Sequence, residues 1–193
     1  ATIVYTSGST GTPKGVELTH ANFVFITYSG VNSMPDIAMK PNRRLLLFLP
    51  LAHVFARYMQ FFCFAGNVSL GLSSNLKTIL ADFKAFKPTF ILAVPRIFEK
   101  IYNAASQKAG AGFKGRVFAD ATQTAYDWSH AQQSGGSIPL ALNAKHALYN
   151  KLVYSSIMEV FGGHVEYAVS GGAPLDSSIA HFFNGVGLPL LEG

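Results

Sequence analysis

Short apolar runs recur along the chain, separated by longer segments with helical spacing. The runs at residues 2–5, 45–49, 89–94, 165–169 and 188–191 are largely apolar, which is typical of strands buried on both faces. Strands of this kind belong to mostly parallel sheets with helices on either side. The pattern therefore predicts an α/β fold with a mostly parallel sheet and flanking helices.

Helix start signals lie in the segments between these runs. Thr19 can cap a helix that runs through about Ser33, and Pro95 suits the first turn of another helix. Ser73 or Ser74 is predicted to cap a third helix. The apolar stripe of this third helix has spacings of three and four residues: Leu76, Ile79, Leu80, Phe83 and Phe86.

The composition bears on how much of a domain the chain contains. At 193 residues, 49% hydrophobic and only 13% charged, the chain is apolar for an independent domain. It opens inside a predicted strand without a methionine and stops at Glu192 and Gly193, just after another. We therefore expect residues 1–193 to be part of a larger domain, truncated at both ends, with a helical excursion at about 103–163.

Charge and cysteine content exclude several classes of function. The net charge is +5, but the basic residues are scattered and form no stripe, which argues against nucleic-acid binding. The one cysteine, Cys63, lies in an apolar stretch and is predicted to be core, so no disulfide framework is expected. These features favour a reducing compartment such as the cytoplasm, and the positive charge is compatible with peripheral contact to an anionic membrane.

Residues 6–15 combine glycines, hydroxyl side chains and a lysine in one dense cluster. Glycines allow tight turns whose successive N–H groups form a concave anion site. The hydroxyls add donors, and Lys14 adds a positive charge. The members are Thr6, Ser7, Gly8, Ser9, Thr10, Gly11, Thr12, Lys14 and Gly15. The cluster predicts a phosphate-binding loop, with an ordinary surface loop rich in glycine and serine as the alternative.

The spacing in this loop differs from that of the common nucleotide P-loop. A P-loop places glycine before its lysine and a metal-binding hydroxyl after it, whereas here Pro13 precedes Lys14 and Gly15 follows it. Because the residue before a proline is pushed toward extended conformations, a helix is not expected to begin at Lys14. Residues 16–18 alternate like a strand. The loop is therefore predicted to join one strand to another.

Three further residues follow predicted strands, where ligands bind in open α/β sheets. His53 is either a residue facing the ligand or a hydrogen-bonded structural histidine, and both interpretations stay open. Arg57 follows in the same segment, and the alternative for it is an arginine in a surface or interface salt bridge. Arg96 would either meet an anionic ligand or pair with Glu99 or Glu166.

The string at residues 170–175, Ser-Gly-Gly-Ala-Pro-Leu, follows another predicted strand. Its glycines allow a flat ligand to approach the backbone, and Asp176 can cap the next helix. The alternative is an ordinary joint between a strand and a helix.

Four strings together resemble one known superfamily. Residues 6–15, Thr-Ser-Gly-Ser-Thr-Gly-Thr-Pro-Lys-Gly, match the phosphate-binding signature of adenylate-forming enzymes. The strings at 50–55, 94–101 and 170–175 are similar to those of long-chain fatty acid–CoA ligases, and the resemblance runs nearly the full length of the chain. Many of these ligases carry glutamate where this chain has Ala56, so an acidic role there is in doubt.

The resemblance implies an activity, its cofactors and a set of site residues. The implied enzyme joins a fatty acid to AMP from ATP with Mg²⁺, releases pyrophosphate, and passes the acyl group to coenzyme A. The loop at residues 6–15 would hold the ATP phosphates, Thr6 would lie nearest Mg²⁺, and His53 would border the acyl and carboxylate pocket. The residues implied to flank the adenine are Gly171, Gly172, Ala173 and Pro174.

The resemblance also implies that parts of the enzyme lie outside this chain. A magnesium-binding glutamate, a ribose-binding aspartate and a C-terminal domain with a catalytic lysine would lie beyond Gly193. The isolated chain is accordingly expected to be inactive and to bind ATP weakly. Two alternatives remain: a fatty acyl–AMP ligase or other adenylation domain, and a nucleotide-binding or interaction module without catalysis.

Overall fold

A computed structural model describes residues 1–6 and 11–192. The chain divides into two compact units, Ala1–Ile79 and Leu80–Gly193. The first contains β1 (Thr2–Thr6), β2 (Lys14–Leu18), α1 (His20–Ser33), α2 (Pro35–Ala38), β3 (Arg43–Leu47), α3 (Val54–Ala65) and β4 (Val68–Leu72). Helix α4 (Ile79–Phe86) begins at its last residue. The second contains β5 (Phe90–Ala93), α5 (Pro95–Ala109), α6 (Phe113–Gln133), α7 (Leu140–Tyr149), a π-helical segment (Asn150–Tyr154), α8 (Ser155–Val160), β6 (Tyr167–Ser170), α9 (Ser177–Val186) and β7 (Leu190–Glu192).

Parallel strand pairs occur in both units. In the first, β3 runs parallel to β4, with Leu45 opposite Leu70. In the second, β6 lies between β5 and β7 and runs parallel to both, with Ala93 opposite Ser170. All of β5 is buried, as expected for a strand covered on both faces. Strands β1 and β2 pair antiparallel. The predicted α/β class, with mostly parallel strands and flanking helices, is confirmed.

Local signals placed several helix ends correctly. Thr19 caps α1 in a capping box: its Oγ1 accepts from the Asn22 N–H at 3.2 Å, and its own N–H donates to Asn22 Oδ1 at 2.8 Å. Pro95 occupies the first turn of α5. Asp176 caps α9 by accepting from the Ser178 N–H at 2.8 Å. The hydrogen bond from the Ser178 hydroxyl, and then those from the Ser178 and Ile179 N–H groups, hold the pKa of the Asp176 carboxyl below its ordinary value.

The predicted start of α4 was wrong. The Ser73 N–H instead donates to the Leu47 carbonyl at 3.0 Å, and so extends the contact between β3 and β4. Asn75 forms the turn that follows: its Oδ1 accepts from the Lys77 N–H at 3.0 Å, and its carbonyl accepts from the Thr78 N–H at 3.1 Å. Because this asparagine turn competes with helix, α4 begins only at Ile79.

The core of the first unit forms where α1 packs on α3. The rings of Phe23 and Phe61 lie 4.8 Å apart, and Phe62 is fully buried. Cys63 is buried as well, and this burial raises the pKa of its thiol to about 12. Its predicted place in the core is confirmed, and at neutral pH the thiol stays protonated and unreactive.

Helix α6 packs closely against α9 in the second unit. A Cβ on Gly185 would lie only 2.0 Å from the Ala125 carbonyl oxygen, so glycine lets the two backbones meet. His146 Nε2 donates to the Gly185 carbonyl at 2.6 Å, and the Tyr154 hydroxyl donates to the Ala121 carbonyl at 2.7 Å. These bonds tie α7 and the π-helical segment to the α6–α9 pair. Within the described part of the chain, no helix has both the length and the apolar character needed to cross a membrane.

A pair of histidines lies at the contact between α6 and α9. The rings of His130 and His181 stack with centroids 3.9 Å apart, and Ser129 Oγ lies 3.0 Å from His181 Nδ1. Burial, and then the nearby His130, hold the pKa of His181 below its ordinary value of 6.5. Because the unfolded chain then binds more protons, the free energy of unfolding rises with pH.

We therefore expect the stability contributed by His181 to be complete above about pH 7.5 and to be lost as the pH falls below 6.5 and through the lower pKa of the folded state. The measurement is urea unfolding at pH values across this window. His181→Gln should flatten the pH dependence, whereas His164→Gln, at an exposed position, should keep it. An unchanged pH dependence in His181→Gln would contradict the expectation.

Candidate functional site

The mouth of the β1–β2 hairpin brings Thr6 and Lys14 together. These two residues are opposite each other in the strand register, and the Thr6 Oγ1 hydroxyl lies 3.5 Å from the Lys14 carbonyl oxygen. Lys14 is exposed, so its ammonium group is available to an anion. The prediction that residues 6–15 join one strand to another is confirmed.

The structure of this hairpin explains why two of its positions are occupied by glycine. Gly11 has φ of +80°, a left-handed conformation that favours glycine. A Cβ on Gly15 would lie 2.8 Å from the Ile3 side chain and 3.4 Å from the Tyr5 ring. Thr12 is exposed beside Lys14. The predicted phosphate-binding residues Ser7, Gly8, Ser9 and Thr10 lie outside the described residues.

His53 lies at the start of α3, beyond the carboxyl end of β3. Its N–H donates to the Pro50 carbonyl at 2.9 Å, and its carbonyl accepts from the Arg57 N–H at 3.1 Å. These backbone bonds fix its position, while the imidazole is exposed and does not cap the helix. The exposed ring does not fit the alternative of a buried, hydrogen-bonded structural histidine. Its role toward the acyl group stays a prediction.

Arg57 lies one helical turn after His53. Its side chain is half-buried, and its Nε has no hydrogen-bond partner among the described residues. The salt bridge that was the alternative interpretation of Arg57 is not found among those residues. Ala56 beside it is fully buried, so a carboxylate at this position would be removed from water at a high cost.

Residues 170–175 form the predicted tight turn at the carboxyl end of β6. The Gly171 N–H donates to the Ala93 carbonyl at 3.1 Å, and Gly172 has φ of +85°. The Leu175 N–H donates to Glu192 Oε1 at 3.1 Å. Ala173 and Pro174 lie between these two anchors, in the same turn as Gly171 and Gly172. The turn is thus held at both ends by neighbouring strands.

Sequence reasoning missed Ser170 and Glu192. Ser170 is fully buried at the end of β6, and its Oγ has no hydrogen-bond partner among the described residues. An unsatisfied buried hydroxyl is costly, which makes Ser170 a candidate site residue. The strand register, which places Glu192 opposite Ser170, became visible only once the strands were aligned.

Arg96 lies in the first turn of α5, just after β5, and it is exposed. Neither Glu99 nor Glu166 forms the predicted ion pair with it among the described residues. Those residues also contain no cluster of three or more His, Cys, Asp or Glu side chains able to hold a metal ion.

The chain belongs to the AMP-binding enzyme family, whose sequence profile matches residues 1–193. It is 47% identical over 193 residues to the long-chain-fatty-acid–CoA ligase FadD15 of Mycobacterium tuberculosis, covering all of this chain and 32% of that protein. It is 33% identical over 185 residues to the peroxisomal long chain acyl-CoA synthetase 7 of Arabidopsis thaliana, covering 94% of this chain and 25% of the relative. The chain thus spans about a third or less of the length of these relatives.

A solved structure agrees with this assignment. The A-PCP didomain of carboxylic acid reductase from Segniliparus rugosus, determined in complex with AMP, superposes with a TM-score of 0.62. The two are 26% identical, and the match covers 99% of this chain and 23% of that one. The resemblance inferred from the motifs is confirmed.

Proposed function

We propose that this chain is part of an ATP-dependent long-chain fatty acid–CoA ligase. The fatty acid carboxylate attacks the α-phosphorus of ATP, and pyrophosphate leaves. The thiol of coenzyme A then captures the acyl group and AMP is released. The observation that carries this proposal is the 47% identity, along the whole chain, to a relative named for this activity.

The hairpin residues are proposed to hold the phosphates of ATP. Lys14 and Thr12 present a positive charge and a hydroxyl donor at one exposed end of the hairpin. Adenylation needs positioning and neutralisation of charge more than a proton shuttle. Ser7, Gly8, Ser9 and Thr10 belong to the same proposal through their place in the motif.

Thr6 is proposed to lie nearest Mg²⁺. Its hydroxyl and the Lys14 carbonyl place two oxygen atoms side by side, and Mg²⁺ is a hard cation that prefers oxygen ligands. The residues fit the ion, since Mg²⁺ at nucleotide sites takes few protein ligands and is held largely by phosphates and water. When bound, the ion would neutralise phosphate charge.

The glycine turn is proposed to lie along the adenine, and His53 beside the acyl carboxylate. Gly171, Gly172, Ala173 and Pro174 follow the carboxyl end of β6, where ligands bind in α/β folds, and the last three of them are exposed while Gly171 is buried. Glu192 positions this turn through its bond to the Leu175 N–H. The exposed ring of His53 is free to meet a ligand.

Location and membrane contact also stay proposals. We place the protein in the cytoplasm, with peripheral contact to an anionic membrane. The support is the net charge of +5 and a single, buried cysteine. Cosedimentation with vesicles of anionic lipid, compared with neutral vesicles, tests the membrane contact.

The test of the proposed function uses the full-length protein, ATP, palmitate and coenzyme A. We expect palmitoyl-CoA and AMP as products, with AMP formation that depends on the fatty acid. A second candidate is an acyl–AMP ligase or a reductase-type adenylation domain, and the observation in its support is the match to carboxylic acid reductase. That alternative would give palmitoyl-adenylate and no palmitoyl-CoA. Absence of ATP–pyrophosphate exchange with every fatty acid would instead indicate a non-catalytic module.

A further inference from the structure

The second unit contains an apolar cleft with a volume of about 610 Å³. Its walls are the second half of α5, the start of α6, the π-helical segment and α8. Ala104, Ala105 and Ala109 leave space along α5, and Ile101 and Val117 line the interior. Binding pockets for small molecules have this size and this apolar character.

The cleft lies away from the carboxyl ends of the strands. Helix α5 begins at Pro95, next to the end of β5, and the first residue of α5 to line the cleft is Ile101. At a rise of about 1.5 Å per residue, Ile101 is about 9 Å and Ala109 about 21 Å along the helix from Pro95. The cleft is therefore separate from the turn at 171–174 proposed to hold adenine.

The rim of the cleft is apolar and exposed. Phe113 is 74% exposed and Leu152 is 59% exposed, and both line the cleft. Large apolar side chains at a cleft mouth mark a place where a ligand can remove surface from water.

The same mouth is positively charged. Lys108 and Lys114 line the cleft, both are exposed, and no carboxylate is among its described lining residues. Lys114 lies in the first turn of α6 with Arg116 close behind, and that turn has no acidic residue and no side-chain cap. Positive side chains at a helix N-terminus are electrostatically unfavourable. An anion bound there would relieve this repulsion and accept from the free N–H groups.

We propose that this cleft binds a single-chain anionic amphiphile, with the tail between α5, α6 and α8 and the head group at Lys108 and Lys114. The two sources of this chemistry are a fatty acid, through its carboxylate, and an acyl-CoA, through its phosphates. The proposal rests on the shape and charge of the cleft and does not depend on the ligase activity. It adds a lipid site to the one proposed for the substrate.

The experiment uses full-length protein and a palmitate analogue with a photoreactive diazirine near the methyl end. Illumination should attach the label to peptides containing residues 101–118 or 152–160. A large excess of a non-hydrolysable adenylate analogue with a two-carbon acyl group should leave this labelling in place, because that compound occupies the adenylation site but has no tail to fill the cleft. Labelling does not require turnover, so it still reports on the cleft if the proposed ligase activity fails.

Paired variants test the head-group contact. Lys108→Glu with Lys114→Glu should weaken labelling by about tenfold, since contacts to a charged group are lost. Lys108→Arg with Lys114→Arg should retain it. The matched control is Lys84→Glu with Lys100→Glu, which makes the same change in net charge at exposed positions outside the cleft and should leave labelling unchanged.

Competitors that differ in tail length or head group provide a further test, in which the loss of labelling measures their affinity for the cleft. Affinity should rise by up to about fourfold for each added methylene until the cleft is filled. Palmitate and palmitoyl-CoA are compared as competitors, and competition by either supports the proposal and identifies the source. Hexadecanol, which lacks the charge, should compete weakly. Ala105→Phe, which fills the cleft, should reduce labelling without touching either lysine.

Several results would overturn the proposal. These are labelling confined to other peptides, equal effects of the two charge-reversal pairs, or equal competition by palmitate and hexadecanol. Labelling that appears only with anionic vesicles would also overturn it, because the surface would then contact a bilayer. Absence of labelling in the cleft peptides at every probe concentration would overturn it too, because another segment of the full-length protein would then cover the cleft.

Discussion

Replacing Lys14 with alanine in the full-length protein is expected to slow acyl-adenylate formation by about 100-fold, the order of effect seen when one charge-stabilising donor is removed from an active site. Lys14 is exposed at the hairpin mouth, opposite Thr6, where positive charge would meet the ATP phosphates. The measurement is fatty-acid-dependent ATP–pyrophosphate exchange. The loss should appear in kcat/KM for ATP, because the lysine acts on the triphosphate.

The matched control is Lys84→Ala, on the exposed face of α4, which should exchange at the wild-type rate. Lys14→Arg should retain more activity than Lys14→Ala, since it keeps the charge but changes the geometry of the contact. Exchange by Lys14→Ala at the wild-type rate would remove Lys14 from the phosphate site.

Gly185→Ala is expected to lower the free energy of unfolding by about 3 kcal/mol, the upper part of the usual range for overpacking. The new Cβ would lie 2.0 Å from the Ala125 carbonyl oxygen and 2.5 Å from its carbon. These are backbone atoms of α6, so the clash cannot be relieved by turning a side chain. The helices would have to separate, which would also stretch the His146–Gly185 hydrogen bond.

Urea unfolding of the chain measures this effect, with Gly136→Ala as the matched control. A Cβ on Gly136 would meet no atom within 4 Å, and its φ is not in the left-handed region. That substitution should change the free energy of unfolding by less than about 0.5 kcal/mol. Equal stabilities for the two variants would show that α6 and α9 do not pack as described.

Much of the fold could be predicted because its signals are local. Thr19 and Asn22 cap α1 within three residues of each other, and Pro95 begins α5. Pro13 before Lys14 correctly indicated a strand-to-strand loop, which the β1–β2 pairing confirms. Each of these depends on the chain's covalent geometry and nearest neighbours.

Local signals also compete, and the sequence does not show which one wins. Ser73 has the chemistry of a helix cap, yet its N–H bonds to Leu47 and Asn75 forms the turn instead. Two other features were also not visible in the sequence: the buried Ser170 hydroxyl without a partner among the described residues, and the hydrogen bond from the Leu175 N–H to Glu192. They depend on strands that lie side by side only after folding.

The sequence by itself determined the family and the α/β class, and it predicted that residues 6–15 join one strand to another. The reason is that motifs, caps and apolar runs act over a few residues. Only the tertiary structure decided the approach of α6 to α9, the histidine pair and the charged mouth of the cleft. Ser129 and His181, for example, are 52 positions apart in the sequence, yet Ser129 Oγ lies 3.0 Å from His181 Nδ1. Contacts of this kind arise from packing, and packing is set by the shapes of all the helices together.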